Sequence, residues 1–174
     1  EHDDPAEGSF LAELCEAWEA EAERVNDHVR LVRVRFGVVL SPDGGALPKM
    51  IMPTRFGVTV SIGKPDHAFS WVALDDLVNA LAFILEHGDV SGPVNVTAPE
   101  RTTNEEFYKA VAEHFHTRVS VRVPDAAVRL VMGEASQVVT SGQCAEPETL
   151  LREGFEFQYP GISTFFNKAF PVKS

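Results

Sequence analysis

The spacing of apolar residues predicts helices and strands that alternate along most of the chain. A helix is expected over residues 9–25, because apolar residues recur there at the 3.6-residue period. Its apolar stripe consists of Phe10, Leu11, Leu14, Cys15, Trp18, Ala22 and Val25. The other face is acidic and typical of a face in water. Residues 31–40 alternate in the manner of a strand, which a Pro- and Gly-containing turn at 41–45 ends.

The following region continues the alternation after one interruption. Residues 46–70 are rich in proline and glycine and predict a long loop. The pattern beyond the loop predicts strands and helices at 69–74, 75–87, 93–97, 103–116 and 119–123. Asp75 is a candidate N-cap for the first of these helices, and Thr103 with Glu106 forms a capping box for the second. This order of elements is typical of a layered α/β protein.

The pattern changes near Pro124. Pro124 and Pro147 suit the first position of a helix, and they predict helices over 125–132 and 148–153. A further short helix is expected near the end of the chain. We therefore predict two parts, an α/β part at residues 1–122 and a small, mainly helical part at 123–174.

Composition and charge exclude several classes of protein. The 174 residues are 44% hydrophobic, enough for an ordinary core, and carry a formal net charge of −11. That charge argues against nucleic acid as a partner. No run of 18 apolar residues is present, so we expect no membrane span. Cys15 and Cys144 follow no metal-ligand spacing, and with no basic or apolar leader they indicate reduced thiols in the cytoplasm.

Motifs that would carry chemistry are weak. The pair Gly44–Gly45 follows a strand, but without a third glycine it predicts an ordinary turn and no phosphate cradle. His114 and His116 lie two residues apart on a predicted helix and so on different faces, which predicts no metal site. From residues alone, no catalytic constellation can be assembled.

Six phrases, in this order, carry a resemblance to a known family. They are FLAELCEAWEAEA at 10–22, VRFGVVLSPDGGALPKM at 34–50, SWVALDDLVNAL at 70–81, GPVNVTAPERTTNEEF at 92–107, VPDAAVRLVMGE at 123–134 and GFEFQYP at 154–160. The chain resembles the atypical extended short-chain dehydrogenase/reductases known as epimerase family proteins or nucleoside-diphosphate-sugar epimerases. Some members carry the label of cell-division inhibitors.

The resemblance implies an α/β fold, namely the C-terminal portion of a Rossmann-like NAD(P)-binding fold followed by a C-terminal domain of unknown function at 123–174. The phosphate-binding half of that fold has no counterpart in the sequence. NADP or NAD is therefore expected in a longer protein, and no cofactor is expected for this chain alone. A nucleotide-sugar-like small molecule and a second copy of the chain are the implied partners.

The family's catalytic pair is replaced at the aligned positions of this chain. Extended members place Tyr-x-x-x-Lys on the first helix, and an alignment on Glu19 puts Leu11 and Cys15 at those positions. Neither residue can shuttle a proton in the manner of that pair, and Cys15 is expected to pack within the apolar stripe. The catalytic residues stay unknown. A catalytically idle, cofactor-bound protein that acts through protein partners, for example in cell division, is the alternative.

The resemblance also implies two groups of binding residues. Arg35, Gly37, Val38 and Val39 match the strand end that approaches the nicotinamide in extended members. A buried strand with one glycine bulge is the alternative reading of that segment. Trp71 and Asp75 match a phrase on the substrate side.

Overall fold

The computed structural model describes residues 10–25, 28–124 and 144–171. The helix predicted over 125–132 and the start of the predicted first helix at Ser9 lie outside these ranges. The helices are α1 (Phe10–Glu23), α2 (Leu47–Ile51), α3 (Leu74–Glu86), α4 (Asn104–His114), α5 (Glu148–Arg152) and α6 (Ile162–Ala169), with a 3-10 helix at Met52–Phe56. The strands are β1 (Val32–Phe36), β2 (Val38–Ser41), β3 (Gly44–Gly45), β4 (Val58–Ile62), β5 (Trp71–Ala73), β6 (Gly92–Val96) and β7 (Val119–Val123).

The strands form three small sheets, each containing a parallel pair. β1 runs parallel to β6, with Val32 opposite Gly92 and Phe36 opposite Val96. β2 runs parallel to β5 and antiparallel to the short β3. β4 runs parallel to β7. Because parallel strands need long crossover connections, the helices lie between the paired strands in sequence, and the predicted α/β class is confirmed.

The strand predicted over 31–40 is divided in two at Gly37. β1 pairs with β6, and after Gly37 the chain continues as β2, which pairs with β5 instead. A Cβ atom at position 37 would lie 2.4 Å from the carbonyl oxygen of Ser70, so only glycine allows the backbones to approach this closely.

The long loop predicted over 46–70 is wrong. This stretch contains α2, the 3-10 helix and β4, and Val60 of β4 lies opposite Val121 of β7. The partner strand lies far along the sequence, and the prolines and glycines around β4 conceal its short alternation. Local patterns therefore give little sign of this pairing.

Two hydrophobic clusters hold the described residues together. The first joins Trp71 of β5 with Phe107 of α4 and with Phe165 and Phe166 of α6. The second joins α3 and β6 with α5 and the segment after it, and it includes Leu77, Ile84, Val94, Val96, Leu150 and Phe155. Residues from 144 onward thus contribute to both clusters. The division of the chain near residue 122 stays a prediction.

The ends of α3 and α4 differ from one another in their capping. The capping box of α4 is confirmed, since the Thr103 hydroxyl accepts from the Glu106 N–H at 3.2 Å and the Glu106 carboxylate accepts from the Thr103 N–H at 2.8 Å. The prediction that Asp75 caps α3 is wrong. The N-cap is Ala73, which has no side chain to make the bond.

Candidate functional site

The carboxyl ends of β1 and β6 lie side by side, and this is where an α/β sheet offers a place for a ligand. The two strands run in parallel and end side by side at Phe36 and Val96. In open α/β sheets, ligands bind in the crevice outside the carboxyl ends of the strands. The Phe36 side chain is 58% exposed at this edge. We refer to the region around Phe36, Gly37, Val38, Ser70 and Thr97 as the crevice.

Two of the four residues predicted to bind cofactor lie at the crevice. Gly37 follows the end of β1, and the side chain of Val38 is 37% exposed beside it. The backbone N–H of Val38 donates to the Ser70 carbonyl at 2.8 Å and is therefore already bonded within the protein. Val39 is half-buried and packs against the second hydrophobic cluster.

Arg35 is bound to α1. Its guanidinium donates to both carboxylate oxygens of Glu19, from Nε to Oε1 at 2.6 Å and from Nη2 to Oε2 at 2.7 Å. Arg33 lies on the same face of β1, with Nη1 3.4 Å from Glu19 Oε2, and it also bonds to Glu23. Glu19 thus departs from the predicted solvated face, and hydrogen bonding to Arg35 lowers the pKa of its carboxyl. A cofactor role for Arg35 stays a prediction.

The positions aligned with the family's catalytic pair lie on α1. Leu11 is in the first turn of that helix, where the structure describes the backbone only. Cys15 is exposed, and Trp18 is 66% exposed. The prediction that Cys15 packs within the apolar stripe of the helix is therefore wrong. The described ion pairs between α1 and β1 are made by Glu19 and Glu23, and Leu14 and Ala22 are half-buried, whereas Cys15 is exposed.

The two residues predicted on the substrate side make intramolecular contacts. Trp71 is 1% exposed, its indole N–H donates to the Thr102 hydroxyl at 3.2 Å, and its ring meets Phe165 edge-on at 5.5 Å. Asp75 is exposed and accepts from the Tyr159 hydroxyl at 3.1 Å. The contacts of Trp71 are those of a core residue. A substrate role for Trp71 or Asp75 stays a prediction.

Sequence reasoning missed the role of Asp76. This carboxylate is 1% exposed and accepts from the backbone N–H groups of Gln158 at 2.8 Å and Tyr159 at 2.9 Å. Burial raises the pKa of Asp76 despite these two donors. One feature of the sequence could have indicated this role. Asp76 lies on the same face of α3 as Leu77 and Ala80, and a charge buried on that face requires hydrogen-bond partners.

Residues 144–146 lie against the crevice and were also missed. The Ala145 N–H donates to the Ser70 hydroxyl at 3.2 Å, and the Thr97 hydroxyl donates to the Ala145 carbonyl at 2.9 Å. The Asn95 amide donates to the Glu146 carbonyl at 3.3 Å. These are mostly backbone contacts of the segment, which leave no pattern in its side chains.

A concavity lies between α4 and the β4–β7 pair. It encloses about 260 Å³ and is lined by Ser61, Tyr108, Lys109 and Arg122, among others. Burial raises the pKa of Tyr108 there. The volume falls below the roughly 300–1,000 Å³ of typical small-molecule sites.

Within the described residues no helix is both long and apolar enough to cross a membrane.

Parallel strand pairs with intervening helices define a Rossmann-like α/β protein. Residues 123–168 match the family described as Domain of unknown function (DUF1731), and this match together with the relatives and solved structures below places the chain in the epimerase family of the short-chain dehydrogenase/reductases. The resemblance found in the sequence is confirmed.

Relatives of known sequence support this assignment. An epimerase family protein of Mycobacterium tuberculosis is 37% identical over 164 residues, which cover 93% of this chain and 54% of the relative. The epimerase family protein SDR39U1 of Mus musculus is 35% identical over 166 residues, covering 93% of this chain and 57% of the relative. The chain thus spans about half the length of the curated relatives that it matches.

Solved structures agree with the sequence relatives. Human epimerase family protein SDR39U1 (isoform 2) with NADPH superposes with a TM-score of 0.89 at 32% identity, over 98% of this chain and 59% of that one. A nucleoside-diphosphate sugar epimerase from Corynebacterium glutamicum gives a TM-score of 0.71 at 26% identity, over 95% of this chain and 32% of that one. UDP-glucose 4-epimerase of Thermus thermophilus with NAD, at 16% identity and a TM-score of 0.61, shares the fold, covering 93% of this chain and 53% of that one.

Proposed function

We propose that the chain forms the substrate-side wall of an NAD(P)-dependent epimerase or oxidoreductase that acts on a nucleotide-sugar-like small molecule. The remainder of the site, including the pyrophosphate cradle, would come from a further α/β segment of the kind that the length of the relatives implies. One observation carries the proposal. At the carboxyl end of β1, Gly37 has no side chain and its backbone lies close to that of Ser70, beside the exposed Val38.

The crevice suits the nicotinamide end of a dinucleotide better than the phosphate end. The exposed Phe36 and Val38 side chains offer apolar surface to a flat ring. Arg35, the cation nearest in sequence, is bound to Glu19 in this structure. A pyrophosphate needs converging backbone N–H groups at a Gly-rich turn, and the sequence contains no such motif. We therefore expect the 174-residue chain alone to bind NADPH weakly.

Calorimetric titration with NADPH tests both parts of the proposal. A protein of the relatives' length that contains this chain is expected to bind NADPH at micromolar concentration or better, and the isolated chain is not. In the longer protein, Val38→Glu should weaken binding by at least about tenfold, because a carboxylate would lose its water beneath the nicotinamide ring, where valine offers apolar contact. The matched control is Val78→Glu on α3, where the valine is 55% exposed away from the crevice. Equal affinity for the two variants would exclude the crevice as the cofactor site.

A second candidate function is a cofactor-bound protein without catalytic activity that acts through protein partners. In its favour, the alignment on Glu19 that the resemblance implies puts Leu11 and Cys15 where active extended members carry Tyr and Lys. Incubation of the cofactor-loaded longer protein with UDP-glucose and other nucleotide sugars distinguishes the two candidates. Interconversion of epimers, detected by chromatography, supports the enzyme; no conversion of any sugar, together with tight cofactor binding, supports the idle protein.

Location and assembly complete the proposal. The cysteines Cys15 and Cys144 are both free thiols, which agrees with a reducing compartment such as the cytoplasm. Trp18 on α1 offers an exposed apolar side chain to a second copy of the protein. Sedimentation of the longer protein over a range of concentrations would detect such a dimer.

A further inference from the structure

We propose that residues 144–146, inside the stretch that matches the domain of unknown function, brace the wall of the crevice, and that Ser70 is the positioning residue that couples this brace to the Gly37–Val38 junction. The proposal rests on the proposed function only in that it regards the crevice as a cofactor site. It gives this part of the DUF1731 domain a role within the α/β site.

Ser70 makes the two bonds that define the coupling. Its hydroxyl accepts from the Ala145 N–H at 3.2 Å, and its carbonyl accepts from the Val38 N–H at 2.8 Å. One residue thus links a segment near residue 145 to the strand end near residue 38. Because both bonds are made by Ser70, a displacement of this residue acts on both.

The brace is fixed to β6 as well. The Thr97 hydroxyl holds the Ala145 carbonyl at 2.9 Å, and the Asn95 amide holds the Glu146 carbonyl at 3.3 Å. The Glu146 side chain in turn accepts from the Arg101 guanidinium, from Nε at 2.6 Å. Residues 144–146 are therefore bound both to the residue before β5 and to the carboxyl end of β6. A segment held at two places resists movement of one relative to the other.

Gly37 makes the junction sensitive to this brace. A hypothetical Cβ on Gly37 would lie 2.4 Å from the Ser70 carbonyl oxygen and 2.8 Å from the Trp71 nitrogen. The two backbones are in such close contact that Ser70 cannot shift toward β1 without displacing Gly37. Trp71, which follows Ser70, is buried and accepts through its carbonyl from the Ala98 N–H at 2.7 Å. The position of the Gly37–Val38 junction in the wall of the crevice therefore depends on the position of Ser70.

Amide hydrogen exchange measured by NMR on the 19.1 kDa chain tests the coupling without any cofactor. In Ser70→Ala, we expect the amides of both Ala145 and Val38 to exchange about fivefold faster or more, because one loses its acceptor and the other its fixed partner. Ser70→Thr keeps the hydroxyl and should restore both rates. Ser41→Ala is the matched control, since the Ser41 hydroxyl also accepts from a backbone N–H, that of Asp43 at 3.3 Å, at the far end of β2.

Two results would overturn the brace. Faster exchange at Ala145 with an unchanged rate at Val38 would mean that the bond is local and transmits nothing. Unchanged rates at both amides would mean that the bond does not hold the segment. If Ser70→Ala does not fold, Thr97→Val serves instead, since it removes the other anchor of Ala145 and leaves Ser70 intact; Val38 must then exchange faster than in Thr97→Ser.

The cofactor enters only in a separate measurement. If the brace holds in the exchange experiment and Ser70→Ala leaves NADPH affinity of the longer protein unchanged, the brace stands and the assignment of the crevice to the cofactor fails. If the exchange experiment fails while Val38→Glu weakens NADPH binding, the assignment stands and the brace fails.

Discussion

Arg35 and Glu19 are joined by two parallel hydrogen bonds, at 2.6 Å and 2.7 Å, which fasten α1 to β1. The side chains are 38% and 25% exposed, so water screens the pair only in part. Paired donors of a guanidinium fit the two oxygens of a carboxylate, and such bonds are stronger than those between neutral groups. Through this contact, the helix that carries Leu11 and Cys15 is held against the strand that leads to the crevice.

Replacement of Glu19 by glutamine should destabilise the chain by about 1–2 kcal/mol, since it removes the charge that Arg35 and Arg33 both face. Urea unfolding followed by circular dichroism measures the change. The control is Glu16→Gln on the exposed side of α1, where we expect a change within about 0.5 kcal/mol. Equal losses of unfolding free energy in both variants would mean that the pair of Glu19 and Arg35 makes no specific contribution to stability.

The same pair predicts a dependence of stability on pH. Arg35 lowers the pKa of Glu19 in the folded protein below its ordinary value of 4.5. A group with a lowered folded pKa stabilises the protein above its unfolded pKa, and this stabilisation is lost as pH falls through the folded pKa. The difference in unfolding free energy between wild type and Glu19→Gln should therefore be constant above about pH 5.5 and narrow below pH 4.5. A constant difference down to pH 2 would contradict the shift, so unfolding is measured at each pH in this range.

Gly37→Ala should destabilise the chain by about 2–4 kcal/mol, because the new Cβ would lie 2.4 Å from the Ser70 carbonyl oxygen, a backbone atom that cannot rotate away. Gly44→Ala is the control, as no atom lies within 4 Å of a Cβ built there. We expect its effect to be within about 0.5 kcal/mol. Thermal unfolding of the two variants measures the difference, and an unchanged melting temperature in Gly37→Ala would mean that the backbones at Gly37 and Ser70 separate easily.

The contrast between Gly37 and α4 shows which features the sequence can predict. The capping box of α4 is a local pattern of two residues three apart, and the structure contains it as predicted. Division of the strand at Gly37 depends on Ser70, which lies in another part of the chain, and no local pattern reports that contact. For the same reason β4 was missed, since its partner β7 lies some sixty residues later.

Burial of the candidate site residues was harder to predict than the elements that carry them. Trp71 and Asp75 were expected on the substrate side because of the resemblance, which fixes their positions in the fold. Whether the Trp71 indole is buried depends on the residues that pack against it, and one of these is Phe165 of α6. The partners of Asp76 come from residues 158–159, far along the sequence, so no pattern near Asp76 indicates them.

Asp76→Asn should cost about 2–3 kcal/mol, because a buried carboxylate that accepts from two backbone N–H groups would be replaced by an amide with one acceptor oxygen. Its NH₂ group would face one of those N–H groups. Asp75→Asn is the control, since Asp75 is exposed and can still accept from the Tyr159 hydroxyl. Chemical unfolding compares the two, and similar small losses would show that residues 158–159 are held mainly by apolar contacts.

Cys15→Lys tests the orientation of α1. The sequence predicted Cys15 in an apolar interior, where an unpartnered lysine would cost several kcal/mol or lose its charge. In the structure Cys15 is exposed, and lysine has a higher helix propensity than cysteine. We therefore expect a change within about 0.5 kcal/mol, which corresponds to a shift of a degree or two in the melting temperature.

The matched control for this replacement is Ala22→Lys, seven residues further along the same helix. Ala22 is half-buried, so lysine there must displace the contact between α1 and the rest of the chain, and we expect a loss of about 1–2 kcal/mol. Thermal melting of both variants at several protein concentrations measures the effect. If Cys15→Lys lowers the stability as much as Ala22→Lys does, the face of α1 that carries Cys15 is covered in solution. A loss that grows with protein concentration would then identify the cover as a second copy of the chain, because only an association between copies depends on concentration.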